Sequence, residues 1–299
     1  MELKITFLGT SNAIPTAERN HPAILLSYKN ENILIDCGEG TQRQFYKAGI
    51  FPTKITRLLI THWHGDHVLG IPGLLQTLAF SNYSKELQIY GPKGTKYFIK
   101  NILKSFKFIS NLNFKIHEIT KQGKFVDEKD FSLYAYKLKH TNTFGYRFEE
   151  KAKRKINLAP LKKFGIKPGP ILKNLQEGRS IKWQGKVIKA DQATKKIAGR
   201  SVAFVFDTAY CKEAIKLEKN ASIVISEATF RTELEVRASE VGHLTAKQAA
   251  QIAKKAKAKK LYLMHISRRY KGKENLLLRD AKKVFKNSYL AQDLMQVKV

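Results

Sequence analysis

The densest chemistry in the chain lies in His62-Trp63-His64-Gly65-Asp66-His67, directly after the apolar run Arg57-Leu58-Leu59-Ile60-Thr61, which predicts a buried strand. Three imidazoles and a carboxylate so close together serve no folding core. Neutral imidazole nitrogen and carboxylate oxygen are the donors that divalent zinc takes. Gly65 is expected to let the backbone turn sharply, so that the side chains converge instead of alternating. A catalytic zinc typically keeps three protein ligands and an open position, so this stretch points to two metals with further ligands from elsewhere in the chain.

Other candidates recur at one kind of place. His140 follows a predicted strand over 131–139, Asp207 one over 201–206, Glu227 one over 222–226, and His265 one over 261–264. Side chains just beyond strand ends, on one edge of a sheet sandwich, can assemble a site from distant sequence. The metal-competent groups are then His62, His64, Asp66, His67, His140, Asp207 and His265, and a carboxylate among them suits a bridge between two metals.

The elements that must position these groups are short. Strands are expected over 1–5 extended to 9, 23–28, 33–36, 87–90, 114–119 and 144–148, with the polar loop 11–20 presenting Arg19. Helices are expected over 41–48, from 70 to about 80, and over 246–260 with Thr245 as N-cap. A chain of 299 residues that is 43% hydrophobic can bury a full core. No apolar run approaches the roughly 18–20 residues of a membrane span, and the opening residues read as a strand, not a leader. The two cysteines, Cys37 and Cys211, fit free thiols, so a cytoplasmic location is expected.

Charge is the unusual feature: 55 Lys and Arg against 25 Asp and Glu, a formal +30. Such a field attracts polyanions, nucleic acid among them. It is concentrated in 151–200, where 15 Lys and Arg face only Glu177 and Asp191. Apolar residues are thin there, so the segment is expected to lack a core of its own and to project from the domain as an insertion suited to phosphate contacts.

Read end to end, the motifs resemble the tRNase Z family of the metallo-β-lactamase superfamily. The resemblance rests on FLGTS at 7–11, IDCGEGTQRQ at 35–44, THWHGDHVLGIPGLL at 61–75 and YGPKG at 90–94. It continues through FGYRFEE at 144–150, GIKPGPILKNLQEG at 165–178, SEATF at 226–230 and LMHISRRY at 263–270. It implies an α/β fold, a four-layer αββα sandwich over 1–299, with 151–200 as a protruding flexible arm that binds tRNA. One zinc would be held by His62, His64 and His140 and a second by Asp66, His67 and His265, with Asp207 bridging and manganese or iron as alternatives. Asp66 would accept a proton from the attacking water, while Glu227 orients His243 to protonate the departing ribose 3′-oxygen. The implied reaction removes the 3′ trailer from precursor tRNA, leaving a 3′-hydroxyl on the tRNA and a 5′-phosphate on the trailer. Substrate contacts would come from Arg19, Asn20, Lys167, Gly169, Pro170, Lys173 and Arg268. A homodimer is implied, one subunit's arm serving the other's active site.

Four positions depart from the family pattern: Ser226 where His is usual, Leu244 in place of Ser, Phe206 in place of Gly, and Ala17 in place of Lys. They bear on leaving-group protonation and 3′-end discrimination, with Phe206 expected beside the metals. Two other functions fit the same residues. A general phosphodiesterase acting on small esters would have little use for 151–200, and a tRNA-binding homologue of weak catalysis would bind precursor without cutting it.

Overall fold

The central strands are buried at nearly every position, and the alternating direction of their side chains sends them to two different cores. The computed structural model describes residues 2–107 and 112–299, in two compact units. Residues 127–132 and 149–200 make the smaller unit and the rest the larger. Met1, part of the expected first strand, lies outside the described residues, and that strand runs Leu3–Gly9.

The larger unit is built on two seven-stranded sheets. In the first, Gln296–Lys298, Leu3–Gly9, Ala23–Tyr28 and Glu31–Ile35 run antiparallel in that order, and Arg57–Leu59, Leu87–Pro92 and Phe114–Ile119 continue it in parallel. The second runs Ser288–Leu290, Leu261–Met264, Ile223–Glu227, Ser201–Val205, Phe144–Glu150, Phe131–Lys137, Gly123–Asp127, its first four strands parallel. On one face of the first sheet, Leu25, Leu34 and Leu58 pack with Phe45, Leu74 and Ile99 of the helices Thr41–Lys47, Ile71–Phe80 and Thr95–Ser105. On one face of the second, Ala203, Val224 and Leu263 pack with Leu217, Ile252 and Leu277 of the helices Lys212–Glu218, Ala246–Lys255 and Asn275–Lys282. Residues of opposite parity meet between the sheets: Phe7 against Tyr262 at 5.8 Å, Tyr28 against Phe148 at 5.2 Å, and Tyr146 Oη donating to the Ile60 carbonyl at 2.6 Å. The order helix, sheet, sheet, helix is the αββα sandwich.

Parallel strands end at the same edge, which is where a site can be assembled. Asp36, Asp207 and His265 each follow such a strand, and their φ values of 55°, 38° and 59° turn the chain out of the sheet in the left-handed region that Asp and His tolerate better than most.

Two local expectations change. Gly65 makes no sharp turn: it opens the short helix Gly65–Val68, and helical winding brings Asp66 and His67 round to the site. The helix from Ala246 stops at Lys255, not Lys260. Thr245 and Gln248 close a capping box at its start, and Lys257 leaves helical geometry at φ 56°, which turns Ala258 into the core.

The smaller unit overturns the expectation of a coreless segment. Lys153–Ile156 pairs with Thr194–Ile197 and Ile181–Trp183 with Lys186–Ile188, beside the helices Leu158–Lys163, Leu172–Gln176 and Ala190–Ala193. Leu161, Ile166, Leu172, Leu175, Ile181 and Ile188 are buried together. Apolar residues are few here, and Leu158, Val187 and Ile197 are exposed, but the short helices and hairpin turn enough of the rest inward to close a small core with most lysines outside.

Candidate metal centre

The first sheet supplies His62, His64, Asp66 and His67 from the loop and short helix beyond Arg57–Leu59, and the second supplies His140, Asp207 and His265 from beyond its own strand ends. They gather into two groups that share Asp207: His62, His64 and His140 in one, Asp66, His67 and His265 in the other, with potential ligand atoms within 4.8 Å of one another in each. His140 Nε2 lies 3.3 Å from His64 Nδ1. Asp66 Oδ2 lies 3.4 Å from Nε2 of both His67 and His265. Asp207 faces both groups, Oδ2 at 3.6 Å from His62 Nε2 and Oδ1 at 3.4 and 3.2 Å from Nε2 of His67 and His265.

Three of the inward atoms lack protein partners. Nε2 of His62 and of His67 and Oδ1 of Asp207 are buried without a hydrogen bond, an arrangement that costs free energy unless a cation meets them. Their donor types are those a divalent metal takes, so the residues fit such an ion. Four of the five histidines have the outward imidazole nitrogen engaged. His62 Nδ1 is 3.0 Å from Thr61 Oγ1, His67 Nδ1 2.7 Å from Asp36 Oδ2, His265 Nδ1 2.8 Å from Thr229 Oγ1, and His140 Nδ1 3.1 Å from the Gly242 carbonyl. Such outer partners fix the tautomer and aim of a ligating histidine. Gly242 is needed as glycine, since at φ 73° its Cβ would stand 2.6 Å from His140 Nδ1.

Electrostatics divides the histidines. Burial pushes His62 down to about 2, holding it neutral and free to bind a metal. Burial also opposes charge on His67, but the carboxylates of Asp207 and Asp36 outweigh it and raise that imidazole well above its ordinary range. Asp66, though burial raises it, is held well below the usual carboxylate range by the hydrogen-bonded His265 and by His67 beside it.

Beside the cluster, His243 Nδ1 lies 3.1 Å from both oxygens of Glu227. Glu227 also accepts from the Thr208 amide at 2.6 Å and Thr229 Oγ1 at 2.7 Å. The His243 ring lies against His265 and His140, with centroids 5.4 and 5.2 Å away. Burial opposes its charge, but Glu227 raises it to about 9, so His243 is a proton donor at neutral pH.

The residues expected to touch substrate divide. Arg19 is not presented to solvent: its side chain is buried, and Nη1 donates to Thr10 Oγ1 at 2.6 Å and the Ala291 carbonyl at 2.8 Å. Asn20 Nδ2 donates to the Glu39 carbonyl at 2.7 Å. Both brace their loop. Arg268, Lys167 and Lys173 are exposed, and the carbonyls of Gly169 and Pro170 accept from the amides of Leu172 and Lys173 at the start of a helix. Phe206, expected beside the metals, is buried on the same pleat parity as Phe204, whose ring centroid is 6.4 Å away. Leu244 is buried in the helix-side core, Ser226 Oγ donates to the Glu227 carbonyl at 3.0 Å, and Ala17 is exposed. Sequence reasoning misses Asp36, Thr61 and Thr229. For Asp36 a signal exists, a carboxylate ending an apolar strand.

A family profile described as "Beta-lactamase superfamily domain" matches residues 155–266, and one described as "Anti-Pycsar protein Apyc1" matches residues 3–151. A ribonuclease Z from Methanothermobacter thermautotrophicus is 39% identical over 99% of this chain and 97% of its own length. One from Archaeoglobus fulgidus is 39% identical over 100% and 98%. Among solved structures, human tRNase Z, short form, superposes with a TM-score of 0.72 at 27% identity, covering 98% of each chain.

Proposed function

The chain belongs to the ribonuclease Z family, and on that footing we propose that it is a metal-dependent endoribonuclease that removes the 3′ trailer from precursor tRNA. The observation that carries the reading is a cluster of seven metal-competent groups from both sheets, set against a histidine that a buried glutamate holds by Nδ1. Two ions, zinc by donor type with manganese or iron as alternatives, would be held by His62, His64 and His140 and by Asp66, His67 and His265, with Asp207 shared. Bound there, they supply Lewis acidity toward the phosphoryl oxygens and the attacking water. Asp66 stays ionised and takes the proton of that water. His243, protonated at neutral pH, gives its Nε2 proton to the departing ribose 3′-oxygen, a poor leaving group as an alkoxide. The products are a tRNA 3′-hydroxyl and a trailer 5′-phosphate.

The basic unit over 151–200 supplies sequence-independent phosphate contacts to the tRNA, Lys167 and Lys173 among them. The working form is a cytoplasmic homodimer. In support, the paired helices Thr41–Lys47 and Ile71–Phe80, joined by Thr77 Oγ1 donating to Gln42 Oε1 at 3.0 Å, leave Tyr46, Leu69 and Phe80 exposed on or between them. No helix among the described residues is long and apolar enough to cross a membrane.

The test is cleavage of an end-labelled precursor tRNA by metal-loaded protein, beside protein lacking 151–200 and beside a small phosphodiester. A single cut at the 3′ boundary that requires 151–200, with small-ester turnover spared by the deletion, is the expected result. Turnover of the small ester with the precursor left intact would overturn it in favour of a general phosphodiesterase.

A further inference from the structure

The residue between two ligand histidines, Trp63, has no part in the chemistry above. It is half-buried, and its Nε1 donates to Thr95 Oγ1 at 3.0 Å. Its ring lies against Phe98, with centroids 4.7 Å apart and planes 30° from parallel, and Phe98 in turn meets Tyr97 at 5.5 Å. Phe98 is 41% and Tyr97 65% exposed, on a helix whose buried residues are Thr95 and Ile99 alone. Folding has no use for two adjacent exposed aromatics there. Gly94 keeps the patch open to approach: at φ 101° it takes a conformation that other residues rarely adopt, and a Cβ would reach to 3.3 Å from the Phe98 ring.

Two further observations tie this patch to an anionic, planar ligand at the active site. Lys93, Lys96 and Lys100 are exposed around it, while the nearby acid, Glu118, is spent on the amides of Gly94 and Lys96 at 2.9 and 3.0 Å. The patch is also continuous with the metal cluster, because Asn142, two residues past His140, donates to the Lys93 carbonyl at 3.2 Å. Aromatic faces beside lysines are how proteins hold single-stranded nucleic acid without reading its sequence.

We propose that Trp63, Phe98 and Tyr97 form a stacking platform for bases of the single-stranded trailer, immediately downstream of the bond that is cut. The side follows from the acid. His243, which serves the tRNA's departing 3′-oxygen, is held by Glu227 at a strand end of the second sheet, whereas Trp63, Phe98 and Tyr97 come from the segment and helix that follow strands of the first, so the platform is assigned to the strand on the other side of the phosphate. The inference deepens the function proposed above and rests on it.

The experiment measures KM for precursors whose first trailer nucleotides carry bases or are abasic, and for a precursor abasic at the discriminator position. Wild-type protein should prefer the base-bearing trailer by about tenfold, the worth of a stacked base. Phe98→Ala should abolish that preference and Phe98→Tyr should restore it. A preference that survives Phe98→Ala, or one that follows the discriminator base instead of the trailer, overturns the assignment. A second readout stands apart from cleavage. The chain has two tryptophans, Trp63 and Trp183, so in Trp183→Phe protein the emission belongs to Trp63. It should be quenched by a short oligoribonucleotide and not by its abasic counterpart. If precursor is never cut, the function reading fails by itself; equal or absent quenching by the two oligonucleotides would sink the platform by itself.

Discussion

Asp36 Oδ2 lies 2.7 Å from His67 Nδ1, with both side chains fully buried, and the same carboxylate accepts from the amide and hydroxyl of Thr61 at 2.7 and 2.8 Å. Since Thr61 also touches His62, one outer carboxylate sets the aim of a histidine in each group.

Asp36→Asn should therefore weaken metal binding by roughly ten- to a hundredfold while leaving every ligand in place. Competition with a chromophoric chelator measures it. Unchanged affinity would show that the outer carboxylate is only structural.

Asp66→Ala removes the group whose Oδ2 faces both His67 and His265. Turnover of precursor should fall by roughly 10²–10⁴, with tRNA affinity by filter binding within about twofold of wild type. Loss of binding would contradict the role given to Asp66.

His243 is raised to about 9, burial opposing its charge and Glu227 outweighing burial. The acid form is present below that value and lost above it, so cleavage should decline as pH rises through about 9. In Glu227→Gln the raising influence is gone, and the alkaline limb should move to lower pH with a reduced maximum. A limb that stays where it was would assign it to another group.

Lys167 and Lys173 are exposed. Changing both to Gln should lower the slope of log affinity against log salt by about 0.7–0.9 for each phosphate that a lysine no longer neutralises. An unaltered slope would remove these two lysines from the RNA interface.

Leu175 is fully buried in the core of the smaller unit. Leu175→Ala should cost about 2–5 kcal/mol of that unit's stability, read as early loss of amide protection within 149–200. Protection unchanged there would mean that the small core is not what orders the unit.

The parts of the centre legible in the sequence are those encoded locally or repeated by rule. His62 to His67 are contiguous, and His140, Asp207 and His265 each close an apolar run, the last two on parallel strands that end at one edge. Partners that depend on long-range packing are not legible. Thr61 and Thr229 look like any threonine until Asp36 and His265 arrive beside them. Arg19 sits in a polar loop and reads as solvent-facing, but its partner Ala291 is 272 residues away. The core of the smaller unit is hidden because its apolar residues come singly or in pairs, never as a periodic run long enough to stand out against the lysines. The helix from Ala246 reads too long because lysine favours helix, and nothing local marks Lys257 for a left-handed turn.

The left-handed backbone at Asp36, Asp207 and His265 sets a conflict between durability and activity. Each such non-glycine residue costs roughly 1–2 kcal/mol, a noticeable share of the roughly 5–15 kcal/mol by which a folded chain outlasts its unfolded state. Glycine at any of the three would relax the turn, and would also delete a carboxylate or imidazole on which the centre depends. Selection for a hardier protein is thus barred from three of its simplest improvements, and variants gathered for thermal tolerance should find their gains elsewhere in the sandwich.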